Sequence, residues 1–257
     1  MISVIIPTYQ SPDLLTRAID SLLNQTSPDW QAIVCPDDGL DYNWLAKKDS
    51  RITVVDSTWV KTGPSSARNR GLPYVQGWAI AYLDDDDWVS SKYIELSVNV
   101  LKTQPAVVFP TVYVDTNGST IRAIGTDLSY LDISNFSQCL GSLHVVVLCE
   151  YFTSWQNCFA EDVVHTCEII DRVGGKINIA QEAQYIATVN PVSICSTNTD
   201  IDCAYKVLIN SKFNMSVEAI ADTKNLFEYR KKINLLYESM SATTDYHTFI
   251  SSYLTSY

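Results

Sequence analysis

Four consecutive carboxylates are the residues of this chain best suited to chemistry: Asp84, Asp85, Asp86 and Asp87. They directly follow an apolar, aromatic-rich run at 78–83, which is typical of a buried strand. All four acids are therefore expected at the carboxyl end of a strand, where open α/β sheets bind their ligands. Because carboxylate oxygens suit a hard divalent cation, the pattern indicates a cation site.

The acidic run has two other interpretations. Adjacent carboxylates on a loop can simply face water, and spacing alone leaves this alternative open. A helix-loop-helix calcium loop is excluded, because it needs glycine at its sixth position and an oxygen ligand at its fifth. Counting from Asp84, those positions hold Val89 and Trp88.

Two arginines precede the acidic strand, in a segment at 63–71 that predicts a helix. Cations near a helix N-terminus oppose the helix dipole, so Arg68 and Arg70 are locally unfavourable unless an anion compensates them. Arg68 is well suited to bind a pyrophosphate through paired N–H donors. A surface helix with unrelated arginines is the alternative.

A third group of polar residues begins a helix predicted at 160–173. Acids in a first helical turn are stabilised by the dipole, so Glu161 and Asp162 have an interpretation that requires no chemistry. His165 follows Asp162 by three residues and could form a hydrogen bond with it. Spacing alone leaves both the structural and the catalytic interpretation open.

The composition describes an ordinary globular protein and limits its partners. Of 257 residues, 46% are hydrophobic and 18% are charged. The net charge of -11 argues against a general affinity for nucleic acid or for anionic membrane surfaces. A phosphorylated ligand would need a metal or local arginines to overcome this overall field.

Cysteine usage and hydropathy indicate a cellular location. The seven cysteines contain no Cys-x-x-Cys pair, which favours reduced thiols over a disulfide framework. No apolar stretch approaches the roughly 20 residues that span a bilayer, and no signal peptide is recognisable. We expect a cytoplasmic protein without an integral membrane segment.

The first hundred residues alternate between strands and helices. Apolar runs predict strands at 2–6, 30–35, 52–56 and 78–83, with helical segments between them, including a short helix between the second and third strands. This alternation predicts an α/β fold with a doubly wound, mostly parallel sheet.

The alternation ends after a helix predicted at 91–103. A strand at 106–114, a turn at Asn117 and Gly118, and a return strand at 120–124 predict a hairpin, which indicates a smaller antiparallel portion for a different ligand. A further strand is expected at 184–189. The stretch 126–143 has weak periodicity, and no chemistry is predicted there.

The C-terminal part is predicted to be helical from 216 to 240. Its apolar residues recur at helical spacing and form a stripe that packs on the body of the protein or, alternatively, in a homodimer contact. The stripe consists of Leu226, Tyr229, Ile233, Leu236, Tyr237 and Met240.

Five motifs together resemble those of family 2 glycosyltransferases, in order and at suitable spacing. They lie at 2–9, 36–39, 67–71, 83–88 and 160–162. The resemblance implies a GT-A fold, a nucleotide-sugar donor, Mn²⁺ or Mg²⁺, and inversion at the anomeric carbon. It implies a catalytic domain at 1–204, with a nucleotide-sugar-binding half (1–103) and an acceptor half (104–204), and a C-terminal helical extension at 205–257.

The resemblance also assigns roles to individual residues. Those expected to bind the donor nucleotide are Pro7, Thr8 and Tyr9 around the nucleoside, Asp38 accepting from the base, Arg68 near the phosphates, and Asp84 or Asp85 facing the ribose. Asp84-x-Asp86 resembles the DXD motif, with Asp86 as the direct metal ligand. Asp162 matches the family's catalytic base.

The chain departs from the family pattern at three places. Gln10 stands where the family often has Asn, and the residues at 38–41 replace a commoner Asp-Gly-Ser. Asn190 stands where many members have His.

Two other functions are alternatives to sugar transfer. A nucleotidyltransferase normally has a glycine-rich loop with a basic residue after its first strand, and residues 7–11 have neither. A catalytically silent nucleotide-sugar-binding protein is the second alternative, although intact acids argue against it. Family frequency favours a UDP-sugar, and the expected acceptor is a saccharide or lipid-linked saccharide, which could hold the protein at a membrane surface.

Overall fold

The computed structural model describes residues 1–56, 58–189, 200–240 and 245–255. The strands are β1 (Ile2–Thr8), β2 (Trp30–Pro36), β3 (Ile52–Val54), β4 (Ala79–Tyr82), β5 (Trp88–Val89), β6 (Ala106–Val108), β7 (Thr111–Val114), β8 (Thr120–Ile124), β9 (Tyr130–Leu131), β10 (Val145–Leu148), β11 (Ile177–Ile179) and β12 (Tyr185–Thr188). The helices are α1 (Pro12–Leu23), α2 (Pro64–Gly71), α3 (Tyr93–Val100), α4 (Ile133–Cys139), α5 (Glu161–Arg172), α6 (Ile201–Ile209), α7 (Val217–Ser239) and α8 (Tyr246–Thr255).

The central sheet is mixed, and its strand order within the described residues is β3-β2-β1-β4-β10-β6-β11-β9. The first four strands of this order are parallel, as the alternating pattern predicts. Strand β10 then lies antiparallel to both β4 and β6. The α/β fold is confirmed, whereas β10 was not predicted, although its Val145-Val146-Val147 core is fully apolar.

A second, smaller sheet has the order β5-β12-β7-β8. Its β7–β8 hairpin is the one predicted around Gly118, where φ is 83°. The single strand predicted at 106–114 is wrong, because the chain leaves the central sheet after β6 and enters the second sheet as β7. Pro110 lies at this break and has no N–H to donate to a sheet ladder.

The short helix predicted between β2 and β3 is also wrong. The segment forms successive turns, in which the N–H of Leu45 donates to the Tyr42 carbonyl and the N–H of Lys48 to the Leu45 carbonyl. Tyr42 and Leu45 are nevertheless buried in the main core.

The C-terminal helices share the main core with the rest of the chain. Tyr205 of α6 and Phe227 of α7 are both buried in it, and the predicted boundary at 204/205 falls inside α6. The predicted stripe is only partly buried: Ile233 is enclosed, but Met240 is 60% exposed. None of the helices in the described ranges combines the length and apolar character that a bilayer crossing requires.

Candidate active site

The carboxyl ends of β1, β2 and β4 meet at one edge of the central sheet. Strand β1 lies between the other two, with Thr8 opposite Pro36 and Ile5 opposite Tyr82. The loops that follow these strands therefore leave the sheet side by side. This edge collects the predicted donor-binding residues and the acidic run, as the sequence predicts.

Two acids hold the loop after β1. The Asp85 carboxylate accepts from the Tyr9 backbone N–H at 3.2 Å and from the Ser11 hydroxyl. Asp38 accepts from the Gln10 backbone N–H at 2.7 Å, and Gln10 has a positive φ of 54°. The loop is thus fixed by the same acids that the sequence predicts at the donor.

The three residues expected around the nucleoside differ in exposure. Pro7 and Thr8 end β1 and are buried, whereas Tyr9 is 41% exposed. Of the three, Tyr9 is the one whose ring is accessible to a ligand. The contacts of all three with a nucleoside stay a prediction.

Asp37 and Arg70 form a structural pair that sequence reasoning missed. Asp37 is 4% exposed and accepts from the Thr62 N–H at 2.7 Å, the Gly63 N–H at 2.9 Å and Arg70 at 2.8 Å. Burial alone would raise the pKa of Asp37, but the hydrogen bonds from Thr62 and Arg70 hold it below its usual value. The anion that compensates Arg70 is therefore a carboxylate of the chain itself.

Arg68 joins the acidic run to the start of α5. One guanidinium nitrogen donates to Asp84 at 2.6 Å and another to Glu161 at 3.3 Å, while the guanidinium lies 4.1 Å from the centre of the Trp155 ring. Although burial opposes its charge, the two carboxylates raise the pKa of Arg68 above its usual value. Its predicted phosphate contact stays a prediction.

The last two acids of the run lie against β12. Asp87 is buried and accepts from the Tyr185 hydroxyl at 2.7 Å and from the Thr188 N–H at 2.8 Å. The main-chain carbonyl of Asp86 accepts from Arg17 and from the Thr188 hydroxyl. Asp87 thus supports the loop, while the backbone of Asp86 is fixed independently of its side chain.

The Asp86 carboxylate accepts a hydrogen bond from its own backbone N–H and lies in the field of the nearby Arg17 charge. Burial and the adjacent Asp84 and Asp85 carboxylates raise the pKa of Asp86 to about 7. The Arg17 charge does not offset burial and the neighbouring acids, so further positive charge would favour the ionised form. A hard cation would supply that charge.

The side chains available as metal ligands fit an ion that is shared with a substrate. Across the described ranges, no three His, Cys, Asp or Glu side chains converge in a way that could hold an ion. Mg²⁺ is commonly bound by one or two carboxylates together with substrate phosphates, and does not need a cage made only of protein ligands. Asp86 is suited to this kind of binding.

Asp162 lies in the first turn of α5, next to the Glu161 that binds Arg68. Its Oδ2 atom accepts a hydrogen bond from the Ser142 hydroxyl. His165, which its spacing would allow to bond Asp162, instead pairs its Nε2 atom with the Thr153 carbonyl at 3.1 Å. The Arg68 bridge sets this turn beside the acidic run.

Comparison with known proteins identifies the family. Residues 3–150, more than half of the chain, match the model named Glycosyl transferase family 2. The chain belongs to glycosyl transferase family 2. The resemblance to this family is thereby confirmed, while the motif at 160–162 lies outside the matched residues.

One curated relative of this family 2 chain is the Escherichia coli UDP-Glc:alpha-D-GlcNAc-diphosphoundecaprenol beta-1,3-glucosyltransferase WfgD. The two are 32% identical over 126 residues, which cover 47% of this chain and 49% of WfgD. The chain thus spans about half the length of this relative.

Solved structures share the fold of this family 2 chain. Staphylococcus aureus TarS 1-349 in complex with UDP-GlcNAc aligns with a TM-score of 0.70 and 18% identity over 88% of this chain and 72% of that one. The mannosyltransferase PcManGT of Pyrobaculum calidifontis, in complex with GDP-Man and Mn²⁺, aligns with a TM-score of 0.60 and 14% identity over 99% and 79%. The expected GT-A fold is confirmed.

Sequence reasoning missed His144 in this family 2 site. Its ring stacks on Tyr185 with 3.8 Å between ring centres and an interplanar angle of 11°. Burial lowers the pKa of His144, although the nearby Asp84 and Asp162 carboxylates favour its charged form. His144 follows directly after the weakly periodic stretch 126–143, so no local pattern pointed to it.

A buried histidine supports the aromatic surface under Arg68. The His165 ring is 4% exposed and stacks on Trp155 with ring centres 4.4 Å apart and planes 5° apart. Trp155 in turn carries the Arg68 guanidinium on its ring. Burial lowers the pKa of His165 from 6.5 to about 3.

We expect the free energy of unfolding to fall as the pH drops below 6.5, because His165 stays neutral in the folded chain but is protonated when the chain unfolds. Its folded pKa lies below its unfolded value of 6.5, so between about pH 6.5 and 3 the unfolded chain binds more protons. The resulting loss is about 1.4 kcal/mol per pH unit below 6.5, or about 2 kcal/mol at pH 5. Urea unfolding at pH 7.5 and pH 5 measures this loss.

His165→Phe is the matched control, since it keeps an aromatic ring against Trp155 but cannot titrate. The wild type should lose about 2 kcal/mol more than this variant between the two pH values. Equal losses in both proteins would contradict the assignment of the pH effect to His165.

Proposed function

We propose that this chain is an inverting glycosyltransferase that moves a sugar from a UDP-sugar to an acceptor hydroxyl in glycan or surface polysaccharide biosynthesis. The observation that carries the proposal is the Arg68 bridge between Asp84 and Glu161. It sets the acidic run, which suits a donor diphosphate, next to Asp162, which suits an acceptor. A sugar-transfer site needs these two functions side by side.

The donor nucleotide is proposed to lie on the preformed loops at the sheet edge. Tyr9 offers an accessible ring, and Asp38 and Asp85 already hold the Tyr9 and Gln10 backbone. Loops fixed before binding lose less conformational entropy when the ligand arrives. Asp38 is proposed to accept from the base, and Asp84 or Asp85 from the ribose.

Asp86 is proposed to hold Mn²⁺ or Mg²⁺ together with the donor's diphosphate. A bound divalent cation acts as a Lewis acid that stabilises the negative charge left on a departing diphosphate. The excess of negative charge at Asp86, which Arg17 does not offset, and its raised pKa support this role. Arg68, held near the same run, adds positive charge to the local field.

Asp162 is proposed to act as the general base. The acceptor hydroxyl attacks the anomeric carbon on the face opposite the departing diphosphate, and its proton passes to the Asp162 carboxylate. Because Oδ2 already accepts from Ser142, Oδ1 is the atom available for that proton. Attack opposite the leaving group inverts the anomeric configuration.

The choice of donor and acceptor rests on the relatives. The name of WfgD contains a UDP-Glc donor and a diphosphoundecaprenol-linked saccharide, and the TarS complex contains UDP-GlcNAc. We therefore favour a UDP-sugar and a lipid-linked or free saccharide, with the protein peripheral to a membrane through its acceptor. Membership of the family argues against a nucleotidyltransferase.

A donor screen tests this function. With Mn²⁺ present, a UDP-sugar at about 100 times its Kd should raise the Tm by about 5–10 °C, whereas GDP- and dTDP-sugars should raise it less. Release of UDP from the same donor in the presence of a lipid-linked saccharide separates an enzyme from a silent binding protein. A larger shift with a GDP-sugar would overturn the preference for UDP.

A further inference from the structure

Ser142 is the residue that touches the Asp162 carboxylate, and three contacts fix it. Its hydroxyl donates to Asp162, its N–H donates to the Tyr113 hydroxyl at 2.8 Å, and its carbonyl accepts from Thr111 at 2.9 Å. Thr111 and Tyr113 both belong to β7. The Ser142 hydroxyl is therefore aimed by a rigid strand.

The chain before Ser142 passes so closely over Tyr113 that it leaves no room for a side chain. A Cβ atom on Gly141 would lie 2.4 Å from the Tyr113 hydroxyl and 2.9 Å from an Arg122 nitrogen. Leu140 adopts a left-handed conformation with φ of 48° and ends α4. Steric contacts thus fix the backbone that leads to Ser142.

Two buried arginines bind the carbonyl groups at the C-terminal end of α4. Arg230 of α7 donates to the Phe136 and Gly141 carbonyls, each at 3.0 Å. Arg122 donates to the Cys139 and Leu140 carbonyls. These four acceptors would otherwise lack partners at a helix end, where a positive charge is also favoured by the dipole.

Helix α8 joins the same cluster. The His247 Nδ1 atom accepts from Arg122 at 3.1 Å, and its ring stacks on Tyr113 with ring centres 4.0 Å apart. Helices α7 and α8 therefore reach the segment that carries Ser142. Arg230 contacts Gly141, and Ser142, the next residue in the chain, contacts Asp162.

We propose that Ser142 is a positioning residue for the catalytic base, and that Arg230 holds Ser142 in place from the C-terminal helices. This inference rests on the proposed role of Asp162. A first-turn carboxylate can rotate about its χ angles, and a fixed donor on Oδ2 keeps Oδ1 directed at the acceptor. Misplacing a reacting group by about 1 Å can cost on the order of a hundredfold in rate.

Ser142→Ala tests the first step, since it removes the hydroxyl and keeps the backbone contacts. We expect kcat to fall roughly 10- to 100-fold with an unchanged KM for the donor. Ser142→Thr should recover most of the rate because it restores the hydroxyl. The matched control is Ser137→Ala on α4, whose hydroxyl donates only to its own helix.

A double-mutant cycle separates positioning from a general structural role. In an Asp162→Ala background, Ser142→Ala should cause no further loss, because its partner is absent. The same loss in both backgrounds would overturn the proposal for Ser142. An unchanged rate in Asp162→Ala alone would instead overturn the proposed base, so the two failures are distinguishable.

Arg230→Met tests the second step, with exposed Lys232→Met on the same helix as its control. Its kcat should fall on the order of tenfold at unchanged UDP affinity, and this loss should disappear in the Ser142→Ala background. A loss that persists in that background would overturn the role of Arg230. If Arg230→Met does not fold, Arg230→Lys keeps the positive charge but not the guanidinium donors to the Phe136 and Gly141 carbonyls, and the same outcomes apply.

Discussion

Replacing Asp162 with Asn should lower the rate of sugar transfer by about 10²–10⁴-fold while nucleotide binding persists. Asn has the same shape, and its amide oxygen can take the place of the Asp162 oxygen that accepts from the Ser142 hydroxyl, so the turn at the start of α5 should keep its structure. The amide cannot take the acceptor's proton. Steady-state transfer assays measure kcat, and the Mn²⁺-dependent thermal shift with UDP measures binding.

The control for this variant is Asp171→Asn, on the same helix. Asp171 accepts from the N–H and the hydroxyl of Ser216, at 2.8 and 2.7 Å. The acids that bind Arg68 are instead Asp84 and Glu161. Asp171→Asn should transfer sugar at the wild-type rate. Undiminished transfer by Asp162→Asn would exclude Asp162 as the base, and a loss of the UDP shift would indicate a role in donor binding instead.

The position of the proposed donor-binding residues could be predicted from sequence because each of their strands is a local feature. The apolar runs of β1, β2 and β4 specify where each strand ends, and parallel neighbours bring those ends together. Asp38 and the acids at 84–87 directly follow such ends. Their chain positions therefore determine that they share one edge of the sheet.

The surroundings of Asp162, the proposed acceptor side, depend on contacts that no local pattern records. Ser142 reaches Asp162 only because β7 and α7 fix the end of α4, and these pieces are separated by up to about ninety positions in the chain. Strand β10 runs against the direction of its neighbours, and alternation along the chain carries no signal for that reversal. The departure noted at Asn190 lies outside the described residues.

Arg68 and Arg70 have the same sequence-based interpretation, because both need an anion, but they bind different carboxylates in the structure. Both are compensated by carboxylates of the chain, but Arg70 serves Asp37 under the donor loop, whereas Arg68 spans the two sides of the site. Sequence spacing identified the need for an anion but not which anion. At Asp86, burial and the neighbouring acids outweigh the Arg17 charge and raise the pKa to about 7.

Replacing Asp86 with Ala should therefore have opposite effects on stability and on function. The pKa of Asp86 is about 7 in the folded chain, against 3.8 for an unperturbed aspartate such as that of the unfolded chain. The free energy of unfolding therefore falls as the pH rises from about 3.8 to 7 and the folded chain loses this proton. Without metal at pH 8, Asp86→Ala should raise the Tm by several degrees, which is equivalent to roughly 1–3 kcal/mol after solvent screening. The Mn²⁺-dependent shift with UDP should disappear.

Transfer by Asp86→Ala should fall by at least about a hundredfold, because a metal ion contributes several kcal/mol to stabilising a developing negative charge. Asp127→Ala, which removes an exposed acid outside the site, should change neither the metal-free Tm nor the Mn²⁺ shift. Thermal unfolding with and without Mn²⁺ and UDP separates the two effects. A persistent Mn²⁺ shift in Asp86→Ala would show that the ion is bound by other residues, and a lower metal-free Tm would show that the Asp86 carboxylate stabilises the fold.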